Sequence, residues 1–400
     1  KSLYYTLTGE RITTGARVKC AAANNEEIGA ILCNWDAHGY PGTPTAMTVV
    51  EGAGRAVSHY YERSGGGAIF LNIPANHTPI LFKDINISTA NSDNVNSKVM
   101  VCNGPTYLRD MYIGRADIEV SATIDIAATT LDFKRTRLRS TNANGSTLMA
   151  RAGSTIKGEY FISDSSKNFL YSAVTGVTVN FKNFIIKNYS YAAINMAGTS
   201  SITPKLFNGM FLPKIGASYD LYLLAALVVT DADIDYNLYG GVLYGVDNSG
   251  GTHRIYHADP LFVNEAGGDY HLQAGSPCWE TGIVVSGLHD VSGKLAKDMD
   301  NIGVHFKGHI GPYDGRTTKS VSANYSPTGY DVRGTSTSPA TIKVTADNVT
   351  VNLSGLTLDE EIIVKAGTKK VGGFVGKSTK HYLKGSGGGS SNGVFGNVFG

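Results

Sequence analysis

"VNFKNFIIKN" (residues 179–188) reads as a half-buried strand, with Phe181, Phe184 and Ile186 apolar and Lys182 standing among them. Related stretches precede it: "LFKDINI" (81–87), "YLRDMYI" (107–113), "LDFKRTRL" (131–138) and "TIKGEYFI" (155–162). Each carries an apolar–basic dipeptide: Phe82-Lys83, Leu108-Arg109, Phe133-Lys134, Ile156-Lys157, Phe181-Lys182 and, more loosely, Pro204-Lys205. Counted from the basic residue, the intervals are 26, 25, 23, 25 and 23 residues.

A second apolar segment precedes most of these anchors, as in "KVMVCN" (98–103), "IEVSATIDI" (118–126), "TLMARA" (147–152), "FLYSA" (169–173) and "AAINMAG" (192–198). Turn residues divide the segments, for example "NGPT" (103–106) and "NANGS" (143–146). A two-strand unit of this length cannot bury its apolar side alone and gains a core only by stacking on its copies. The expectation is a parallel β-solenoid of about seven or eight coils over residues 76–256. Period-two alternation turns the apolar anchors inward and the following basic residues outward.

The stretch "ADPLFVNEAGGDYHLQAGSP" (258–277), followed by "NIGVHFKGHIGPYDG" (301–315), resembles the closing segment of right-handed parallel β-helix proteins of the pectin-lyase-like type. In those a D-P-L-F-x-N…G-D-Y/F-x-L-x-x-G-S-P stretch follows the last coil and a short I-G-x-Y-like ending closes it. Here the ending is Ile310-Gly311-Pro312-Tyr313, while Cys278-Trp279-Glu280-Thr281-Gly282 replaces the usual A-I-D-A-G and loses its Asp. The resemblance implies an all-β right-handed parallel β-helix, to which the alternation within residues 340–367 adds a small C-terminal β domain. It does not imply an activity. Within the motif, Asp259 and Asp269 are expected to fix turns through side-chain hydrogen bonds.

Residues 1–75 read as first coils or an N-terminal capping piece, 76–256 as the coils, and 257–315 as the closing segment. In the next region, 316–384, "ATIKVTADNVTVNLSGLTLDEEIIVKAG" (340–367) alternates at period two with β-branched residues, as expected of a small β domain. The Gly-rich end, 385–400, has a linker composition, but its duplicated "VFG" offers apolar anchors. It is expected to be ordered by contacts with other copies of the chain or neighbouring subunits of an assembly.

Charged residues make up 17% of the chain and the formal net charge is +2, which argues against a dedicated nucleic-acid binder. The apolar run "LYLLAALVV" (221–229) is far short of the roughly 20 residues of a membrane span. Cys20, Cys33, Cys102 and Cys278 lie far apart, with no zinc-type spacing; Cys20 with Cys33 is the pair that an oxidising compartment would bridge.

Stacked in register, Lys83, Arg109, Lys134, Lys157 and Lys182 would form an outward column with about 4.8 Å between coils. Arg135, Arg137 and Arg139 would make the third coil its most cationic point. The functional reading is a groove for an acidic glycan; the plain alternative is solubility, with lysines blunting an exposed sheet. In "DADID" (231–235), strand alternation would align Asp231, Asp233 and Asp235 as a Ca²⁺ or acid–base site, or simply as a solvated stripe.

The resemblance bears on this, because β-helix lyases pair a calcium-holding acidic cluster with a Lys or Arg base. β-Helix hydrolases use several Asp residues and a Gly-His-Gly turn, which is absent here. The acidic segment also lies about 20 Å from the arginines by strand spacing, too far for one site. "CNWDAHGY" (33–40) reads as packing around Trp35, and His305 with His309 lacks the helix that a zinc pair needs. No catalytic residue is assigned.

The expected function is a non-catalytic extracellular, cell-surface or virion β-helix protein of the tail-fibre, spike or adhesin type. It would form part of an assembly and contact glycans. The alternative is a polysaccharide lyase or glycoside hydrolase acting on an acidic polysaccharide.

Overall fold

The structure is a computed structural model. It describes residues 17–19, 26–27, 48–53, 59–62, 69–73, 75, 79–89, 98–115, 123–140, 145–165, 167–197, 204–217, 219–224, 231–245, 253–273, 276–278, 281–283, 310–311, 318–326, 340–355, 362–376 and 381–385. The chain divides into two units, residues 1–258 with 310–312, and residues 259–309 with 313–400.

The first unit is a parallel β-solenoid. One file of strands runs through Arg17–Lys19, Thr48–Glu51, Ile80–Lys83, Thr106–Arg109 and Thr130–Lys134 into the first half of Thr155–Asp164. A second file includes Asn86–Thr89, Tyr112–Arg115, Arg137–Ser140 and the second half of Thr155–Asp164. The third is an eight-stranded sheet from Ile69–Ile73 to Leu243–Tyr244. Among the described residues, parallel pairing is already present at Arg17, upstream of residue 76.

Between the first two files the chain turns on a single left-handed residue. Asp84, Asp110, Arg135, Tyr160, Asn183, Asn208 and Tyr236 hold φ between 49° and 57° in successive coils. Four of the seven are Asn or Asp, the non-glycine types that tolerate this region best. The corner explains how one strand-like sequence such as "VNFKNFIIKN" serves two faces. Phe181 ends the inward run of the first face, Asn183 makes the bend, and Phe184 and Ile186 point inward again from the second.

Register comes from the core. Val50, Phe82, Leu108, Phe133, Gly158, Phe181 and Leu206 stand one above another. Four of the five expected anchors thus share a column. The exception is Ile156, which is buried but pairs with Leu131 and Val179, two positions earlier.

The reason is Gly158. Rings fill the space its side chain would take, so that an added Cβ would lie 2.6 Å from Phe133 and 2.8 Å from Phe161. Gly209 repeats the device, with a Cβ falling 2.1 Å from Phe184. The rings continue from Phe133 and Phe161 (centroids 4.9 Å apart) through Phe184 and Phe211 to Tyr239.

A second apolar stripe lies outside this core. Ile162, Ile185, Met210 and Leu238 follow Arg137 along the second file, so they face outward, yet each is buried. The returning segment crosses it: Gly311 donates its N–H to the Asn208 carbonyl (2.8 Å) and stands against Met210.

The second unit opens with the antiparallel pair Phe262–Asn264 and Asp269–Leu272. The expected turn chemistry is present: Asp259 Oδ1 accepts from the Leu261 N–H (2.8 Å) and Asp269 Oδ1 from the His271 N–H (3.1 Å). The C-terminal β region is itself parallel. Thr318–Val321, Ala340–Val344, Ile362–Gly367 and His381–Gly385 pair in sequence, with Val349–Asn352 on Val371–Val375. Its core is Ala340, Ile342, Val344, Val349, Val351, Leu353, Ile362 and Val364, with their neighbours.

Two substitutions test the ring–glycine packing by denaturant unfolding. Gly158→Ala is expected to cost about 1–3 kcal/mol through overpacking, and Phe181→Ala about 3–5 kcal/mol through the cavity it leaves. A loss below about 1 kcal/mol for Phe181→Ala would place that ring at the surface.

Candidate functional site

The outward column beside the core anchors reads Glu51, Lys83, Arg109, Lys134, Glu159, Lys182 and Phe207. Lys157 is not in it. It pairs with Asp132 and Asn180, two positions away, and is exposed. Glycine at the anchor hid the true register, and the column contains acids as well as bases.

Those acids, with Asp132 from the neighbouring column, neutralise it. Lys83 bonds Glu51 at 2.5 Å, Arg109 bonds Asp132 at 2.8 Å, and Lys134 bonds Glu159 at 2.6 Å. Arg109 also donates to the Leu108 and Asp132 carbonyls and lies over the Tyr107 ring. At the corner, Arg135 holds Asp110 through two parallel bonds of 2.7 and 2.8 Å. That bidentate contact offsets the strain of an arginine at φ 49°. Lys182 follows Glu159, and its partial burial lowers its pKa. Arg137 and Arg139 lie on the second file, so the corner separates them from the column and Arg139 is exposed.

The acidic segment also departs from expectation. Asp231–Ile234 is one helical turn, so the strand alternation that would align Asp231, Asp233 and Asp235 does not exist. No group of three or more potential metal-ligating side chains gathers among the described residues. Instead Asp235, buried, bonds His253 Nδ1 at 2.9 Å, and the Tyr236 ring stacks on the imidazole at 4.2 Å. The contact orients the imidazole and leaves the His253 side chain half-exposed, within reach of a molecule on the surface.

Residues 33–40, His305, His309 and 386–400 lie outside the described residues, as do Cys20 and Cys33. Cys102 and Cys278 are buried free thiols, each pushed up to about 12 by burial.

The outer column of the third file was missed by sequence reasoning. It runs Asn72, Val101, Asp125, Met149, Tyr171, Asn195, Tyr222 and Tyr244. Its early part is charged: Asp125 binds Lys98 and, through two bonds, Arg151. Burial opposes ionisation of Asp125, but these bonds prevail and lower its pKa. The later part is aromatic, with Tyr191 and Tyr219 beside Tyr222 and Tyr244 at centroid distances of 4.9–5.8 Å. "SYDLYLL" (218–224) carries the signal, two tyrosines around an inward Asp220. No family model matches the chain, and neither a curated protein nor a solved structure does.

Asp220 is fully buried, accepting from the Tyr189 hydroxyl and from the Gly241 N–H at 2.8 Å, and burial pushes its pKa up to about 6. The folded-state value lies above the ordinary 3.8, so its favourable contribution is complete below that pH and is lost as pH rises through about 6. The loss is on the order of 3 kcal/mol. Asp220→Asn should therefore gain stability relative to the parent by roughly that amount between about pH 4 and pH 8, measured by denaturant unfolding. A pH-independent difference would contradict the assignment.

Proposed function

We propose that this chain is a non-catalytic β-helix protein of an extracellular, cell or virion surface, of the tail-fibre, spike or adhesin type, whose flank contacts glycans. The supporting observation is the paired state of the outward ladder. Lys83, Arg109 and Lys134 each hold a carboxylate within 2.8 Å. A lyase needs a base within hydrogen-bond reach of the sugar's proton and cations to neutralise its carboxylate. Cations already engaged by Glu51, Asp132 and Glu159 serve neither role well, and arginine is a poor base at any accessible pH. A stacked, internally neutralised flank suits a rigid scaffold better than a reaction centre.

The closing segment and its Asp259 and Asp269 turns favour placing the chain among pectin-lyase-like β-helices. That likeness bears on architecture and is compatible with either a binding or a catalytic flank. Assembly through the C-terminal region, with other copies or neighbouring subunits, belongs to the same reading.

The test is incubation of the purified chain with pectate, alginate and glycosaminoglycans. Release of unsaturated product is followed by ultraviolet absorbance and release of reducing ends by a colorimetric assay. Retention of glycan without turnover is the expected outcome. Turnover abolished by His253→Ala or Lys134→Ala would overturn the reading in favour of a lyase or hydrolase.

A further inference from the structure

Four successive strands of the third file, Asn168–Ser172, Ala192–Met196, Tyr219–Leu223 and Leu243–Tyr244, contain one charged residue, Asp220, and it is buried. Their outward column is Tyr171, Asn195, Tyr222 and Tyr244. This is unusual for the flank of a solenoid, where charge protects against association. Earlier in the same file the flank does carry it, as Lys98 and Asp125 on their strands and Arg151 just after Ser146–Ala150.

The tyrosines form one surface. Tyr222 and Tyr244 are parallel, with centroids 5.0 Å apart and planes within 14°. Tyr219 meets both at an angle, and Tyr191 meets Tyr219 and Tyr222. Tyr244 is 48% exposed and Val242, beside it, 56%. Within the column, Asn195 is 6% exposed, its Nδ2 is directed at Asn168, and its Oδ1 has no hydrogen-bond donor. A buried acceptor without a donor is costly unless something supplies one.

We infer that the Tyr191–Tyr219–Tyr222–Tyr244 surface, with Asn195 at its centre, binds an uncharged polysaccharide along the solenoid. The inference rests on the glycan-binding reading above and names the class of glycan. Tyrosine presents a rigid apolar ring and a hydroxyl at small entropic cost, which matches the apolar faces and hydroxyl rims of sugars. Tyr191, Tyr219, Tyr222, Tyr244 and Asn195 are uncharged, and Lys167, whose carbonyl accepts from the Tyr191 N–H, stands one coil before them at the edge of the surface, so the paired ladder on the first file is not the recognition element. The coil rise of about 4.8 Å repeats the rings along the axis, suiting a ligand that is itself a repeat. A sugar hydroxyl is a donor of the kind that Asn195 Oδ1 lacks.

The experiment is affinity electrophoresis of the full chain through gels containing galactomannan, mixed-linkage glucan or arabinoxylan, in parallel with polygalacturonate and alginate, at low and high salt. Retardation by at least one neutral polymer, unchanged by salt, is expected. Tyr222→Ala and Tyr244→Ala should each weaken it about tenfold or more. Tyr244→Phe, which keeps the ring, should retain most of it, and Lys134→Gln should leave it unaltered. Circular dichroism melts check that the variants fold.

Retention by the acidic polymers alone, lost at high salt, would overturn this inference while leaving a glycan-binding flank intact. Retention by neither class would sink both. A concentration-dependent dimer in sedimentation, abolished by Tyr222→Ala and without polysaccharide binding, would assign the surface to a second copy of the chain instead.

Discussion

The structure depends on coils of unequal side-chain volume filling one another's gaps. Phe133 and Phe181 stand above and below Gly158, and Phe161 reaches in from the next face of the same coil. A solenoid coil has no core of its own, so its register is decided where such rings meet. Slipping the Thr155–Asp164 strand by two residues would keep the pleat but place Ile156 or Tyr160 where only glycine fits. The left-handed corner at Tyr160, Asn183 and Asn208 carries this register from the first face to the second.

The same register determines the electrostatics. With Glu159 rather than Lys157 between Lys134 and Lys182, like charges that would have repelled at strand spacing become a ladder of pairs. Such half-exposed pairs contribute little to stability individually. Their consequence is functional, since the flank that looks most cationic in sequence offers few uncommitted cations. The tyrosine flank on the third file, whose four strands carry no exposed charge, differs chemically from that ladder.

Much of the fold was legible because stacking demands repetition, and repetition survives in "FKD", "LRD", "FKR" and "FKN". The parallel arrangement and four of the five inward anchors could be read directly. The fifth could not, because a glycine whose place is filled by neighbouring rings leaves no apolar mark. The better guide was the Asn or Asp after the basic residue, which marks the corner at Asp84, Asp110 and Asn183, with Asn208 after Phe207 in the next coil. "DADID" misled because its alternation of residue types resembles a strand, whereas Asp231–Ile234 forms one helical turn before the bend at Tyr236. The tyrosine surface was illegible for a different reason: Tyr191, Tyr219, Tyr222 and Tyr244 meet only once three coils are stacked.

The central claim is this register, and engineered disulfides measure it directly. A disulfide requires Cα atoms within about 7 Å, a distance that neighbouring in-register residues at strand spacing satisfy and residues offset by two do not. Lys134→Cys with Glu159→Cys should oxidise to an internal disulfide in the folded chain, detected as a two-proton mass loss and a single linked peptide. Lys134→Cys with Lys157→Cys should remain reduced under the same conditions. Efficient linkage of the second pair and none of the first would contradict the register, and with it the paired ladder and the ring–glycine core.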